Sequence, residues 1–316
     1  MFLKRPMGLR SLLKLSGLVL GLILVGLLIA GWEPDNTMQS EVEFKGVGIG
    51  RTGVGIVTLE GVITESEPTV KIIREFNRSD RIKAIVFRVN SPGGGVVASQ
   101  EIFEALKKCE KPVVVSMGDV AASGGLYVSM GAKYIMANPG TLTGSIGVIM
   151  NFVNLSGLYQ WAKIERYVLK TGKFKGVGSD HERMSKEAED LLKKTMFEIF
   201  GQFKEAVSTS RNIPMEKLNT FADGRVFSGS EALKLGIVDE LGTFEDAILK
   251  AGELAGITGE PKRFYPKEPK PSLMEALFDQ MENSSSVGGV LNFLKGAEKK
   301  TSTELRPGMY WIWHGA

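Results

Sequence analysis

Apolar positions along the chain alternate between short β-branched runs and stretches with helical spacing. Val54-Gly55-Ile56-Val57-Thr58-Leu59 and Gly61-Val62-Ile63 predict an opening strand and turn, and Val70, Ile72, Ile73 and Phe76 then recur as one helix face. Ala84-Ile85-Val86-Phe87-Arg88-Val89 and Pro112-Val113-Val114-Val115-Ser116-Met117 read as buried strands, with a helical pattern from Val97 to Lys108 between them. Tyr134 to Met136, Ile146 to Ile149 and Tyr167 to Leu169 read as further strands. Such alternation predicts an α/β fold of βαβ units, a mostly parallel sheet with helices on its faces. Ser185 to Thr209 reads as one long amphipathic helix capped by Ser185, with a packing stripe of Ala188, Leu191, Leu192, Thr195, Met196, Ile199 and Phe200.

The ends of the chain read differently from its body. Lys4, Arg5, Arg10 and Lys14 precede an uncharged apolar run from Leu15 to Trp32, which predicts a transmembrane anchor with residues 1–14 in the cytoplasm and the remainder on the other side. A cleaved signal peptide is the rival reading, but the run is long for one and Leu28-Ile29-Ala30-Gly31-Trp32 lacks a small-x-small cleavage site. Residues 33–52 read as a linker, 53–256 as the folded body and 257–316 as a C-terminal extension. Pro261 to Pro271 reads as a Pro- and Lys-rich connector, and Arg306 to His314 is strongly apolar.

Composition narrows the chemistry. A net charge of +3 in 316 residues, with short basic clusters mixed with acids, implies no nucleic-acid surface. Cys109 is the single cysteine, which excludes an internal disulfide and a Cys-based metal site. No cofactor or metal is expected. The glycines of Asn90-Ser91-Pro92-Gly93-Gly94-Gly95 lack the Lys-Ser/Thr of a phosphate loop and the spacing of a dinucleotide fingerprint.

Those glycines follow a strand and offer free amides to an oxyanion. The run Asp119-Val120-Ala121-Ala122-Ser123-Gly124-Gly125-Leu126-Tyr127 places one hydroxyl among small residues at a strand-to-helix junction, with the Gly124 amide beside it. Read alone, this segment fits a nucleophile and fits a helix cap about equally well. A nucleophilic serine needs a base. The chain has two histidines, His181 in a polar segment and His314 near the end, so a buried, neutral lysine is the other choice; spacing alone selects none.

Four ordered motifs carry a resemblance. Arg88 to Gly95, Ala121-Ala122-Ser123-Gly124-Gly125, Leu142-Thr143-Gly144-Ser145-Ile146-Gly147-Val148 and Lys170-Thr171-Gly172-Lys173-Phe174-Lys175 together resemble the signal peptide peptidase A family. Those are membrane-bound Ser-Lys proteases with the fold of the ClpP and crotonase group, repeated ββα units behind a membrane helix. The resemblance covers roughly Gly53 to Gly256. It implies Ser123 as nucleophile, Gly94 and Gly124 as oxyanion amides, Lys175 as general base in preference to Lys173 or Lys170, and Ser145 as the residue that orients the lysine. The terminal element containing Asp223 and Arg225 implies a structural pair without a catalytic role.

The resemblance also implies apolar signal-peptide remnants as substrates. Larger members carry lysine and serine in separate repeats, whereas this chain has each motif once, so a homo-oligomer with the dyad shared between subunits is expected. The apolar tail then reads either as an edge strand in that oligomer or as a substrate mimic lying in a subunit's groove. Three rivals stand beside this reading: a general membrane quality-control peptidase, a crotonase-like acyl-CoA enzyme and a catalytically silent membrane scaffold.

Overall fold

The computed structural model describes residues 52–266 and 310–312. The expected cytoplasmic N-terminus, the anchor from Leu15 to Trp32, nearly all of the linker and most of the C-terminal extension lie outside the described residues. Among the described residues, no helix is long and apolar enough to cross a membrane.

In chain order the elements are β1 (Gly53–Glu60), α1 (Glu67–Arg78), β2 (Ile82–Ser91), β3 (Gly93–Gly95), α2 (Val96–Lys107), β4 (Val113–Ala122), α3 (Gly124–Ser129), β5 (Tyr134–Ala137) and β6 (Leu142–Gly144). There follow α4 (Ser156–Trp161), α5 (Lys186–Arg211), α6 (Met215–Asn219), β7 (Val226–Ser228), α7 (Gly229–Leu235), β8 (Glu240–Leu241), α8 (Phe244–Leu254), β9 (Lys262–Phe264) and β10 (Tyr310–Ile312).

Among the described residues, eight strands form one sheet in the order β7-β6-β4-β2-β1-β9, with β5 beside β4 and β8 beside β5. Only β7 on β6 is antiparallel within it. The sheet divides along β4, whose Val114 to Ser116 pair with β5 while Val120 to Ala122 pair with β6.

The period of two along each strand builds two cores. Ile85, Phe87 and Val89 of β2, with Val113, Val115 and Met117 of β4, join the larger core, to which α1, α2, α3 and α5 also contribute. Val54, Ile56, Ala84, Val86 and Val114 face the other way onto Ala247, Ile248 and Ala251 of α8. Burial on both faces is what makes these strands near-continuous apolar runs. The Ser185 cap is present, its side chain accepting from the Ala188 amide.

Three expectations are corrected. Ile146 to Ile149 is not a strand, because the chain turns away at Gly144 (φ 89°) and Ser145 (φ 51°), and only Ile149 makes a β-bridge, to Tyr310. Tyr167 to Leu169 is irregular and exposed. The α5 stripe is buried at Ala188, packs against the core at Ile199 and Phe200 as expected and continues to buried Phe203 and Val207, but at Leu191 it faces solvent.

Candidate active site

Two parallel strands end side by side to build the nucleophile's position. Ala122 of β4 pairs with Gly144 of β6, and the Ser123 amide donates to the Gly144 carbonyl at 2.8 Å. Ser123 has φ 52° and ψ −117°, sparsely populated for a residue with a Cβ and worth about 1–3 kcal/mol of local strain. The surrounding fold holds it there: its own carbonyl accepts from the Tyr127 amide at 2.9 Å in the first turn of α3. The small neighbours are required by close approach. A methyl on Gly125 would lie 2.7 Å from the Ser91 carbonyl oxygen, and one on Gly118, midway along β4, 3.0 Å from the Asn90 side chain. Ser145 follows Gly144 directly, donates its amide to the Arg225 carbonyl at 2.7 Å and is buried. Arg225 is fixed by its Nε donating to Asp223 Oδ1 at 2.8 Å, the structural pair expected.

The triple glycine forms β3. Ile63 donates its amide to the Gly93 carbonyl at 2.9 Å and accepts from the Gly95 amide at 2.7 Å. Ser91 Oγ donates to the Gly61 carbonyl at 2.6 Å and accepts from the Gly93 amide at 3.1 Å. Gly93 and Gly95 are thereby engaged, and Gly94 faces the opposite side of the strand.

That side is occupied by the chain itself. β10 runs antiparallel to β3, with Tyr310 opposite Gly95, Trp311 opposite Gly94 and Ile312 opposite Gly93. On its other edge Tyr310 exchanges main-chain bonds with Ile149, at 3.1 and 3.3 Å. Alternation then turns the amide and carbonyl of Trp311 toward Gly94. A methyl on Gly93 would fall 1.9 Å from the Trp311 oxygen and 2.6 Å from the Gly124 nitrogen. One on Gly124 would lie 2.7 Å from Ser99 Oγ, 2.9 Å from the Trp311 oxygen and 3.0 Å from the Gly94 nitrogen. The Trp311 carbonyl oxygen and the main chain of Gly93, Gly94 and Gly124 are therefore closely packed next to Ser123.

The Trp311 ring is fully buried, 4.1 Å from the Tyr127 ring centroid and 5.0 Å from that of Phe203, with Phe103 stacked 5.1 Å beyond Tyr127. Sequence reading singled out neither this pocket nor Ser91, Ser99, Ile63 and Ile149. The signal it had was the apolar tail.

The candidate bases lie elsewhere. Lys170 Nζ is 2.6 Å from Glu182 Oε1, and Lys173 pairs with Glu187. His181 Nδ1 is 3.5 Å from Asp180, which also accepts from Tyr159 Oη at 2.5 Å and pairs with Arg166. Lys175 is exposed in a turn-rich segment, and its ammonium has no ion pair or hydrogen bond among the described residues. Among the described residues, no hydrogen bond or ion pair joins it to Ser123 or Ser145. The only thiol, Cys109, is far up the scale: burial pushes it to about 11.

Comparison with known proteins covers most of this body. The profile of peptidase family S49 matches residues 105–258, and that of Clp protease matches residues 56–141. With the mostly parallel sheet, the latter identifies a ClpP-like α/β fold. A putative protease of Synechocystis is 39% identical over 229 residues, 71% of this chain and 83% of that protein. The chloroplastic serine protease SPPA of Arabidopsis thaliana is 33% identical over 269 residues, 82% of this chain and 39% of that protein. A putative signal peptide peptidase SppA of Enterococcus faecium is 33% identical over 179 residues, 56% of this chain and 52% of that protein.

Proposed function

The chain belongs to peptidase family S49 and is a serine peptidase, and from that premise we propose that it is a membrane-anchored endopeptidase that cuts extended apolar peptides, signal-peptide remnants among them, with a Ser123-Lys175 dyad. The observation that carries this reading is the tail strand. An apolar segment lies extended between β3 and Ile149, with Trp311 paired to Gly94 and its carbonyl oxygen close to Gly124. Any unfolded apolar peptide presents the same main chain, so β-addition gives affinity and the ring pocket gives selectivity.

The unprotonated amine of Lys175, from a neighbouring copy, takes the Ser123 hydroxyl proton as Oγ attacks the peptide carbon. The carbonyl oxygen becomes the oxyanion, held by Gly94 and Gly124. Collapse breaks the C–N bond, the amine leaves with the proton from Lys175, and water hydrolyses the Ser123 ester to free the carboxylate. Ser145, beside Gly144, is the group that orients the incoming lysine. The exposure of Lys175 in one chain and the apolar surface around it favour a homo-oligomer. The basic-then-apolar pattern from Lys4 to Trp32 supports an anchor that leaves the catalytic body outside the cytoplasm. With the tail in place, the groove is self-occupied in the resting enzyme.

The test is hydrolysis of a fluorogenic apolar peptide by the full chain in membranes, as wild type, Ser123→Ala, Lys175→Ala and an equal mixture of the two. Each single variant is expected to lose about 10⁴-fold or more, and the mixture to regain about a quarter of the activity by random pairing. Full activity in Ser123→Ala sinks the mechanism, and activity in Lys175→Ala moves the base to Lys170, Lys173 or His181. Release of the chain from those membranes by carbonate washing would overturn the anchor.

A further inference from the structure

The pocket that receives Trp311 contains one defect. The indole is completely buried among Tyr127, Phe203 and the apolar core, yet its Nε1–H has no acceptor among the described residues. The main chain of the same residue pairs with Gly94, and its ring packs tilted against Tyr127 and Phe203, with centroids 4.1 and 5.0 Å away. Shape and backbone therefore suit the site, while the single polar atom of the side chain does not. By contrast, the nearby buried hydroxyls of Ser91, Ser99 and Thr143 each donate to a carbonyl.

An N–H taken out of water without a partner weakens the complex by about 5- to 150-fold. A side chain of the same outline with no donor avoids that loss. We propose that the pocket walled by Tyr127 and Phe203 selects, at the residue whose carbonyl sits at Gly94 and Gly124, a bulky side chain free of hydrogen-bond donors, and that Trp311 is an imperfect occupant which such substrates displace. Peptides carrying a large hydrocarbon or thioether-like group at that position are the class this site takes. Phe203 and Tyr127 are its specificity-determining residues. The tail holds the groove closed against weak peptides and yields to good ones. This rests on the groove being the substrate site, and it adds what that site discriminates.

The experiment isolates the N–H from the size of the ring. The receptor is the full chain carrying Ser123→Ala, which stops turnover, and Trp311→Ala, which empties the pocket. Binding of two fluorescent peptides spanning Met309 to Ala316 is measured by polarisation. One has tryptophan at the position of Trp311, the other 3-benzothienylalanine, in which sulfur replaces the N–H at nearly equal volume. The benzothienyl peptide is expected to bind at least about fivefold tighter. A smaller ratio, or tighter binding of the tryptophan peptide, overturns the proposal while leaving the groove reading intact. Binding of neither peptide overturns both, and wild-type hydrolysis of the apolar peptide reports separately on the catalytic reading.

Discussion

The serine side of the site and the lysine side are built to different standards. From β1 to Ser145, apolar side chains other than Val97 are largely buried and the main chain around the nucleophile is hydrogen-bonded, even where Ser123 and Ser145 hold positive φ. The segment that carries Lys175 is the opposite: Trp161 is 81% exposed, Tyr167 85% and Leu169 103%, with Phe152, Val153, Leu158 and Ile164 also in solvent. Contiguous apolar exposure of that kind marks a surface that another molecule covers. The difference fits the proposed site: the candidate nucleophile Ser123 sits in ordered, buried surroundings, whereas the candidate base Lys175 lies in a segment whose apolar side chains face solvent. On the proposed mechanism, a second copy covers this segment and brings a lysine to each serine.

The strongest attempt to break that contrast is to make the exposed segment permanently polar. Trp161→Asp with Leu169→Asp should leave the monomer folded, lower the sedimentation coefficient toward that of a single chain, and cut peptidase activity by about 10- to 100-fold, because two buried charges cost several kcal/mol at an interface. An assembled, fully active double variant would end the idea that this surface completes the site. A smaller effect, of opposite sign, comes from the serine side: deleting Met309 to Ala316 empties the groove and should raise kcat/KM several-fold, up to about tenfold, at unchanged oligomeric state. Activity that stays level or falls would show that the tail is not a competitor. The smallest expected effect is none. With its thiol pushed up to about 11 by burial, Cys109 has a thiolate fraction near 10⁻³ at pH 8, so iodoacetamide should modify it slowly and leave activity unchanged. Rapid inactivation by that reagent would mean that the sheet around Cys109 opens in the active enzyme.

The serine side was legible because its constraints are local. Small residues after a β-branched run signal a tight strand-to-helix junction, and the structure shows the contacts behind them, such as Gly125 against the Ser91 carbonyl and Gly124 against Ser99. The Ser185 cap and the strands around Val86 and Val114 follow from equally local patterns. The rest depended on partners distant in the chain. Apolar character at Ile149 and Leu169 announces burial without naming the surface that provides it: Ile149 meets Tyr310, and Leu169 meets nothing within the described chain. Choosing among Lys170, Lys173 and Lys175 was likewise impossible from spacing, whereas in the fold Glu182 and Glu187 engage the first two. Phe203 lies just beyond the predicted α5 stripe, and its role emerges only when three separate segments meet at Trp311.

Because β10 and the strand it occupies belong to the same polypeptide, closure of the groove is a first-order event governed by an effective concentration rather than by how much enzyme is present. Dilution therefore cannot relieve it, whereas on the proposed sharing of the dyad dilution separates each serine from its lysine. The two proposed restraints have different concentration laws: specific activity is expected to fall with dilution if the assembly is needed, and to be indifferent to dilution where the tail alone is in control. Under the proposed mechanism, crowding these chains together raises catalytic capacity without unlocking a single groove, leaving that step to the arriving peptide.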